Sequence, residues 1–401
     1  MKIAYVTDLN PHDQNSWSGT AYFMWLAIEN QGIEIVHFQP LPVGWASRCD
    51  FFVRRAFRYL HGKRFWPSYS RQLSLHQSRQ VDRWLKTQEG ISAVLCPGGI
   101  AMAHLSPGLP LVTWADATHD LYFSTYPEVA RACGTTRRQG QELESQVHRR
   151  ASAVIFSSEW AADSAKQHCG VAPGKVHVVP FGANFDELPG ERVLADQNRI
   201  SSSSPFTVLF VGQDWYRKGG QVVVEAVKIA RQEGYDLRLH LIGCLPPDGV
   251  VLNDWVTSDG RLDKQTAHGV ARLKQAFAGA SVLFVPSLAE CYGVVYCEAF
   301  AYGVPVIAND VGGVSTIVQH GQNGFLAEPG TAPAAYALYL LRLLQSPELH
   351  QQMSVSARQA YECHFNWDTA GRRAADIIRS VASPFSAPHE VKDFNKTSTL
   401  S

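Results

Sequence analysis

Glu290 and Glu298 are two acids eight positions apart in a stretch that reads as strand, turn and helix start. The run 282–285 is short and apolar, Pro286 and Ser287 close it, and Gly293 opens a helix. The first free N–H groups of such a helix point out of the carboxyl end of the strand, where α/β proteins bind ligands. That helix start favours phosphate through exposed donors and the macrodipole. Glu298 lies about one and a half turns into the helix, so both carboxylates reach one ligand. Backbone for phosphates and carboxylates for hydroxyls is chemistry suited to a sugar nucleotide.

Other strand-to-helix turns carry candidate groups. In 210–220, glycines at a strand exit let backbone approach a ligand, and Lys218 beside Arg217 offers charge to a diphosphate. A solvated turn with an exposed Arg-Lys pair is the alternative. The turn 309–314 has Gly312 and Gly313, for a ligand or for close packing alone. In 16–21, Gly19 and Thr20 bring N–H groups and a hydroxyl to the first helix, or Ser18 simply caps it. Asp116, His119 and Asp120 follow a fourth strand and are capable of polar contact or proton transfer, although loop acids are more often solvated or capping.

The elements that must position these groups alternate along the whole chain, the pattern of doubly wound α/β layers. Strands are expected at 3–6, 35–38, 93–95, 111–114, 153–156 and 176–179, then at 207–211, 237–242, 282–285 and 304–308. Helices are expected between them, including 21–30, 70–88, 139–151, 221–232 and 266–277. The polar stretch 186–205 reads as a linker between a domain over 1–185 and one over 206–366. The segment 383–401, rich in Pro, Ser and Thr, reads as a disordered tail. Two such domains set a cleft between their facing carboxyl ends.

Composition narrows the function. The 401 residues suffice for two cores, and 45% hydrophobic with 18% charged residues describes an ordinary globular protein. A formal net charge of zero argues against bulk nucleic-acid binding. No apolar run approaches the roughly 20 residues that span a bilayer, and Asp8 ends the first apolar run too early for a signal peptide, so a cytoplasmic protein is expected. The eight cysteines form no Cys-x-x-Cys pair, which suggests neither a disulfide framework nor a zinc site. Segment 48–71 is basic with interleaved aromatics; it suits an anionic membrane surface, or a surface helix with its aromatics packed inward.

At these residues the sequence resembles the retaining nucleotide-sugar glycosyltransferases of GT-B architecture, specifically glycosyltransferase family 4. The most specific match is Glu290 to Glu298, continuing through 299–308, Gly312 with Gly313, and 321–326. Lesser matches are 210–212 with 217–219, 179–184, 157–160 and 365–368. The resemblance spans about residues 1–380 and is stronger in the second half.

The resemblance implies two Rossmann-like domains and transfer of a sugar from a nucleoside diphosphate sugar to a hydroxyl acceptor with retention, in polysaccharide or glycolipid synthesis. Glu298 would hold ribose hydroxyls. Glu290 would hold hydroxyls of the sugar, with backbone around Tyr292, Gly293 and Val294 on its hydroxyls or the phosphate. Lys218 would neutralise the diphosphate with help from Arg217, and no metal is expected. Gly19 would face the diphosphate from the other domain, and a last helix over about 367–382 would cross back to the first domain. The chain departs from the family at Gln213, where an Arg is usual, and in lacking a clear first-domain His; Asp116 and His119 are the candidates there. A nucleotide-sugar epimerase and a degenerate nucleotide-binding module are the competing readings.

Overall fold

Residues 1–40, 62–186, 205–247 and 253–382 are described by the structure, a computed structural model. Most of the 186–205 linker, residues 48–61 of the basic segment with their expected membrane contact, and the 383–401 tail lie outside the described residues.

The first half builds a six-stranded sheet from β1 (Lys2–Val6), β2 (Glu34–Phe38), β3 (Ile91–Pro97), β4 (Leu111–Ala115), β5 (Ala153–Phe156) and β6 (Val176–Val178). Its order is β2-β1-β3-β4-β5-β6, and every pairing is parallel. The second half repeats the plan with β7 (Phe206–Val211), β8 (Leu237–Ile242), β9 (Val256–Gly260), β10 (Val282–Val285), β11 (Val306–Asn309) and β12 (Gly324–Ala327), ordered β12-β11-β10-β7-β8-β9. The central strands are buried on both faces, as β4, β5, β10 and β11 show, and their apolar runs follow from that double cover. The α/β fold class expected from the alternation is the one observed.

Two strands were not expected, β9 and β12. Both are edge strands: β9 reads VTSDG with two exposed residues and carries no apolar run, while β12, GFLA, is apolar and buried but only four residues long.

Most crossovers are helical: α1 (Thr20–Glu29), α2 (Arg71–Leu85), α3 (His119–Thr125), α4 (Gly134–Arg150) and α5 (Glu159–His168) in the first half, while β3 to β4 has only a 3-10 turn. The second half has α6 (Gly220–Gln232), α7 (Ala267–Gly279), α8 (Val294–Ala301), α9 (Pro333–Gln345), α10 (Pro347–Cys363) and α11 (Trp367–Ala382). Helix α4 begins five residues before the expected 139, running through Gly134 and Gly140. Gly140 is required there, because a Cβ would lie 2.0 Å from Nε2 of His119.

Helix α11 packs against α1 of the first sheet's layer. Trp367 donates from Nε1 to Asn184 Oδ1 at 2.9 Å, and its ring stacks on Phe181. Gly371 meets the α1 backbone so closely that a Cβ would lie 2.4 Å from the Ala27 carbonyl. Trp66 and Tyr69, from the described end of the basic segment, pack inward against the small cluster of Phe123, Val129 and Ala132.

Candidate active site

Each sheet reverses its winding once, at β1/β3 in the first and at β7/β10 in the second. Loops diverge at such points and leave a crevice at the carboxyl ends. The two crevices meet in one cavity of about 390 Å³, within the range of small-molecule sites.

From the second domain, Gly212 leaves β7 beneath Lys218. A Cβ at 212 would lie 2.7 Å from Cγ of Lys218, so a side chain there would obstruct the lysine stem. The lysine is buried and its Nζ pairs with Oε2 of Glu290. Arg217 brings Nη1 to 3.7 Å from the same oxygen, donates to the Ala289 carbonyl at 3.0 Å, and stacks its guanidinium 5.3 Å over Tyr126. Glu298 is 3% exposed and pairs through Oε1 with Lys264 Nζ at 2.9 Å. Lys264 and the cavity-lining Arg261 leave the carboxyl end of β9, and neither was a candidate from sequence.

Gly293 caps α8 in the left-handed region, φ 92°, which directs the α8 N-terminus at the cavity beside Val294. Behind this loop stands the Gly312–Gly313 turn. A Cβ on Gly312, φ +55°, would lie 1.9 Å from the Glu290 carbonyl, and Gly313 N donates to the Cys291 carbonyl at 3.0 Å. These glycines shape the loop that holds Glu290.

The first domain contributes Trp17, Asp116, Tyr122 and Tyr126. Trp17 and Ser18 are non-glycine residues in the left-handed region, φ 47° and 58°, ahead of Gly19. Strain of this kind persists where surroundings hold it, and it clusters at functional sites. Here Trp17 Nε1 donates to Asp116 Oδ2 at 3.3 Å, and the indole packs edge-on to Phe181. Burial raises Asp116 to about 6, the Trp17 hydrogen bond opposes that rise, and the charge of Glu290 adds to it.

Glu290, Lys218, Asp116, Arg217, Tyr292, Gly293, Val294 and Glu298 thus line one cavity, together with Gln213. Gly19 is buried just behind it, between lining residues Ser18 and Thr20. His119 is turned away. Its backbone begins α3, but its ring stacks on Phe123 at 4.3 Å and meets Tyr69 at 4.8 Å, covered by α4 at Gly140. Burial lowers it to about 4, with Arg137 adding to the effect, so the ring is neutral at physiological pH.

The domains touch through the same loop. Cys291 N donates to the Tyr126 hydroxyl at 3.2 Å, and the Tyr292 hydroxyl donates to the Phe181 carbonyl at 2.9 Å. Asn15 donates to Asp263 at 2.9 Å and Gln265 to Asp13 at 2.6 Å on the opposite rim.

The family described as Glycosyltransferase Family 4 matches residues 31–187, and Glycosyl transferases group 1 matches residues 195–360. Among curated proteins the chain is 32% identical to the D-inositol 3-phosphate glycosyltransferase of Streptomyces avermitilis, over 59% of this chain and 54% of that protein. It is 31% identical to that of Streptomyces griseus, over 69% and 63%. The chain therefore spans little more than half of the first of these relatives. In fold it is similar to sucrose-phosphate synthase from Thermosynechococcus elongatus, with TM-score 0.66, 18% identity, and 95% and 98% of the two chains covered. It is also similar to Anabaena HepE in complex with UDP and glucose, with TM-score 0.61, 16% identity, and 94% and 99% covered. At these identities the structural likeness speaks for the two-domain GT-B fold.

Proposed function

We propose that this chain, which belongs to the GT-B glycosyltransferases of family 4, moves a sugar from a nucleoside diphosphate sugar to a hydroxyl acceptor with retention at the anomeric carbon. The observation that carries this reading is the convergence of Glu290, Glu298, Lys218 and the α8 N-terminus on one cavity at the facing ends of both sheets. Glu298 takes the ribose hydroxyls and Glu290 those of the sugar, while Lys218, Arg217 and the backbone at Gly293 and Val294 take the diphosphate. Asp116 faces the sugar from the first domain.

In the structure the charges satisfy one another, Lys218 and Arg217 on Glu290 and Lys264 on Glu298. A donor replaces these pairs. Its diphosphate takes the cations and its hydroxyls take the freed carboxylates, so no buried charge is left alone. As the glycosidic bond breaks, negative charge grows on the leaving phosphate, where Lys218 and the helix N-terminus already point. These groups supply the stabilisation without a metal ion. The cross-domain bonds from Cys291 and Tyr292 hold the two domains together beside the donor, which limits the access of water to it. A role in polysaccharide or glycolipid synthesis fits a hydroxyl acceptor.

The test is donor turnover by wild type, Glu290→Gln and Lys218→Ala, followed by the anomeric configuration of the product. Each substitution is expected to lower the rate by roughly 100-fold or more, the usual loss when one stabilising group is removed. Full rates in both variants would end the site assignment, and an inverted product would end the retaining mechanism.

A further inference from the structure

Away from the cleft, three buried side chains with metal-binding atoms converge between α4 and α5. Glu144 and His148 stand four apart on one face of α4, and Cys169 is the C-cap of α5. They are 6%, 3% and 3% exposed, and their ligating atoms all lie within 4.8 Å of one another. None of the three lines the cavity described above.

The cluster is incompletely satisfied on its own. Glu144 accepts from the His119 backbone N–H through Oε1 at 2.8 Å and from the Cys169 thiol through Oε2 at 3.7 Å. Nδ1 of His148 is buried without a hydrogen-bond partner, its ring held edge-on to Phe156. A buried polar atom left in this way costs free energy; eight such side-chain atoms occur among the described residues, and His148 is the one grouped with two further metal-binding side chains.

We propose that Glu144, His148 and Cys169 bind one Zn²⁺ ion that ties α4 to α5. Bonds of about 2.0 Å to nitrogen or oxygen and about 2.3 Å to sulfur set tetrahedral ligand-to-ligand edges of roughly 3.3–3.8 Å. The Glu144–Cys169 separation of 3.7 Å already matches. The remaining separations, at most 4.8 Å, must close by up to about 1.5 Å to reach these edges. A mixed nitrogen, oxygen and sulfur set selects zinc over the oxygen-seeking magnesium and calcium. On binding, the Cys169 S–H bond breaks, its proton leaves to solvent, and sulfur bonds the metal. Carboxylate and thiolate together cancel the charge of the ion, which makes its burial tolerable. The Glu144 oxygen held by His119 N–H fixes the orientation of that ligand. A water fills the fourth position.

The ion stands beneath the first turn of α3, the helix leading to Tyr126, whose hydroxyl meets the second domain. It joins α4 to α5 behind the cleft, none of its ligands lines the cavity, and the diphosphate site proposed above remains metal-free. The sequence hid this site because its ligands are an acid and a histidine on one helix and a single distant cysteine.

The test is the zinc content of full-length protein purified without a metal-affinity tag, in wild type, His148→Gln and Cys169→Ser. About one zinc per chain is expected in wild type and almost none in either variant. Zinc X-ray absorption of the wild type alone covers the case in which the variants fail to fold. One sulfur at about 2.3 Å with nitrogen or oxygen at about 2.0 Å is expected. Wild type that remains zinc-free after zinc is supplied, unchanged zinc in a folded Cys169→Ser protein, or a spectrum without sulfur would each overturn the proposal.

Discussion

Replacing Asp116 by Asn is expected to stabilise the protein at neutral and alkaline pH while impairing its chemistry. The carboxyl is enclosed by Trp17 and the cavity wall with Glu290 nearby, and burial raises it from 3.8 to about 6. A raised acid folds most easily when neutral. The stability it allows is fully present below pH 3.8 and is lost as pH rises through about 6. The rise from 3.8 to about 6 corresponds to ~3 kcal/mol at pH 8, of which roughly half is already lost at pH 5. Because the side chain also lines the cavity and is only half-buried, about 1–3 kcal/mol is the realistic range.

Asn keeps the shape and removes the charge. The melting temperature of Asp116→Asn relative to wild type should therefore climb by a few degrees between pH 5 and pH 8, at about 2–4 °C per kcal/mol for a unit of this size. Trp17→Phe should act oppositely, since it removes the hydrogen bond that favours the ionised carboxylate. Its pH-dependent loss should vanish when Asn already stands at 116. Differential scanning fluorimetry across pH on the four proteins measures this. An Asp116→Asn difference that is the same at pH 5 and pH 8 would refute the reasoning, as would a Trp17 effect that persists unchanged in the double variant.

Lys264→Met leaves Glu298 buried without its partner, so the protein without nucleotide should lose about 1–3 kcal/mol, the cost of an unsatisfied buried group. A nucleotide whose ribose satisfies Glu298 restores it, so the nucleotide-induced rise in melting temperature should exceed that of wild type; an equal rise would remove Glu298 from the ribose site. Tyr126→Phe deprives Cys291 N of its acceptor across the domains, at a cost of about 1 kcal/mol. In steady-state kinetics and calorimetry, kcat should fall several-fold with nucleotide affinity unchanged, and the reverse pattern would show that Tyr126 serves donor binding instead of closure.

The fold was legible where burial wrote a continuous apolar run, as in the stretches now seen as β4, β5 and β10. It was illegible at β9, an edge strand with polar residues facing out. That omission had a consequence at the site. Without β9 there was no carboxyl end to search, and Arg261 and Lys264, which leave it, passed as ordinary surface charge. Trp17 and Tyr126 went unnoticed for a different reason: an aromatic side chain in a turn or at a helix end has the composition of core. The left-handed backbone at Trp17 would have marked it, but φ is not written in the residue type. His119 was drawn towards the cleft because it follows a strand end closely. Its actual direction depends on the absence of a side chain at Gly140, twenty-one positions later in another helix.

The loop 286–293 places recognition and closure within four consecutive residues. Glu290 faces the cavity, Cys291 N reaches Tyr126, the Tyr292 hydroxyl reaches Phe181, and Gly293 starts α8. Gly312 and Gly313 back this loop at distances that leave no room for a Cβ. A ligand that moves Glu290 off Lys218 therefore acts on the backbone that joins the domains, and domain closure in turn fixes where the carboxylate can reach. Substitutions inside the loop must change both properties together. Residues that meet the loop from the first domain, Tyr126 above all, and the rim pairs Asn15–Asp263 and Gln265–Asp13 can change closure while leaving the donor-facing carboxylates and cations intact.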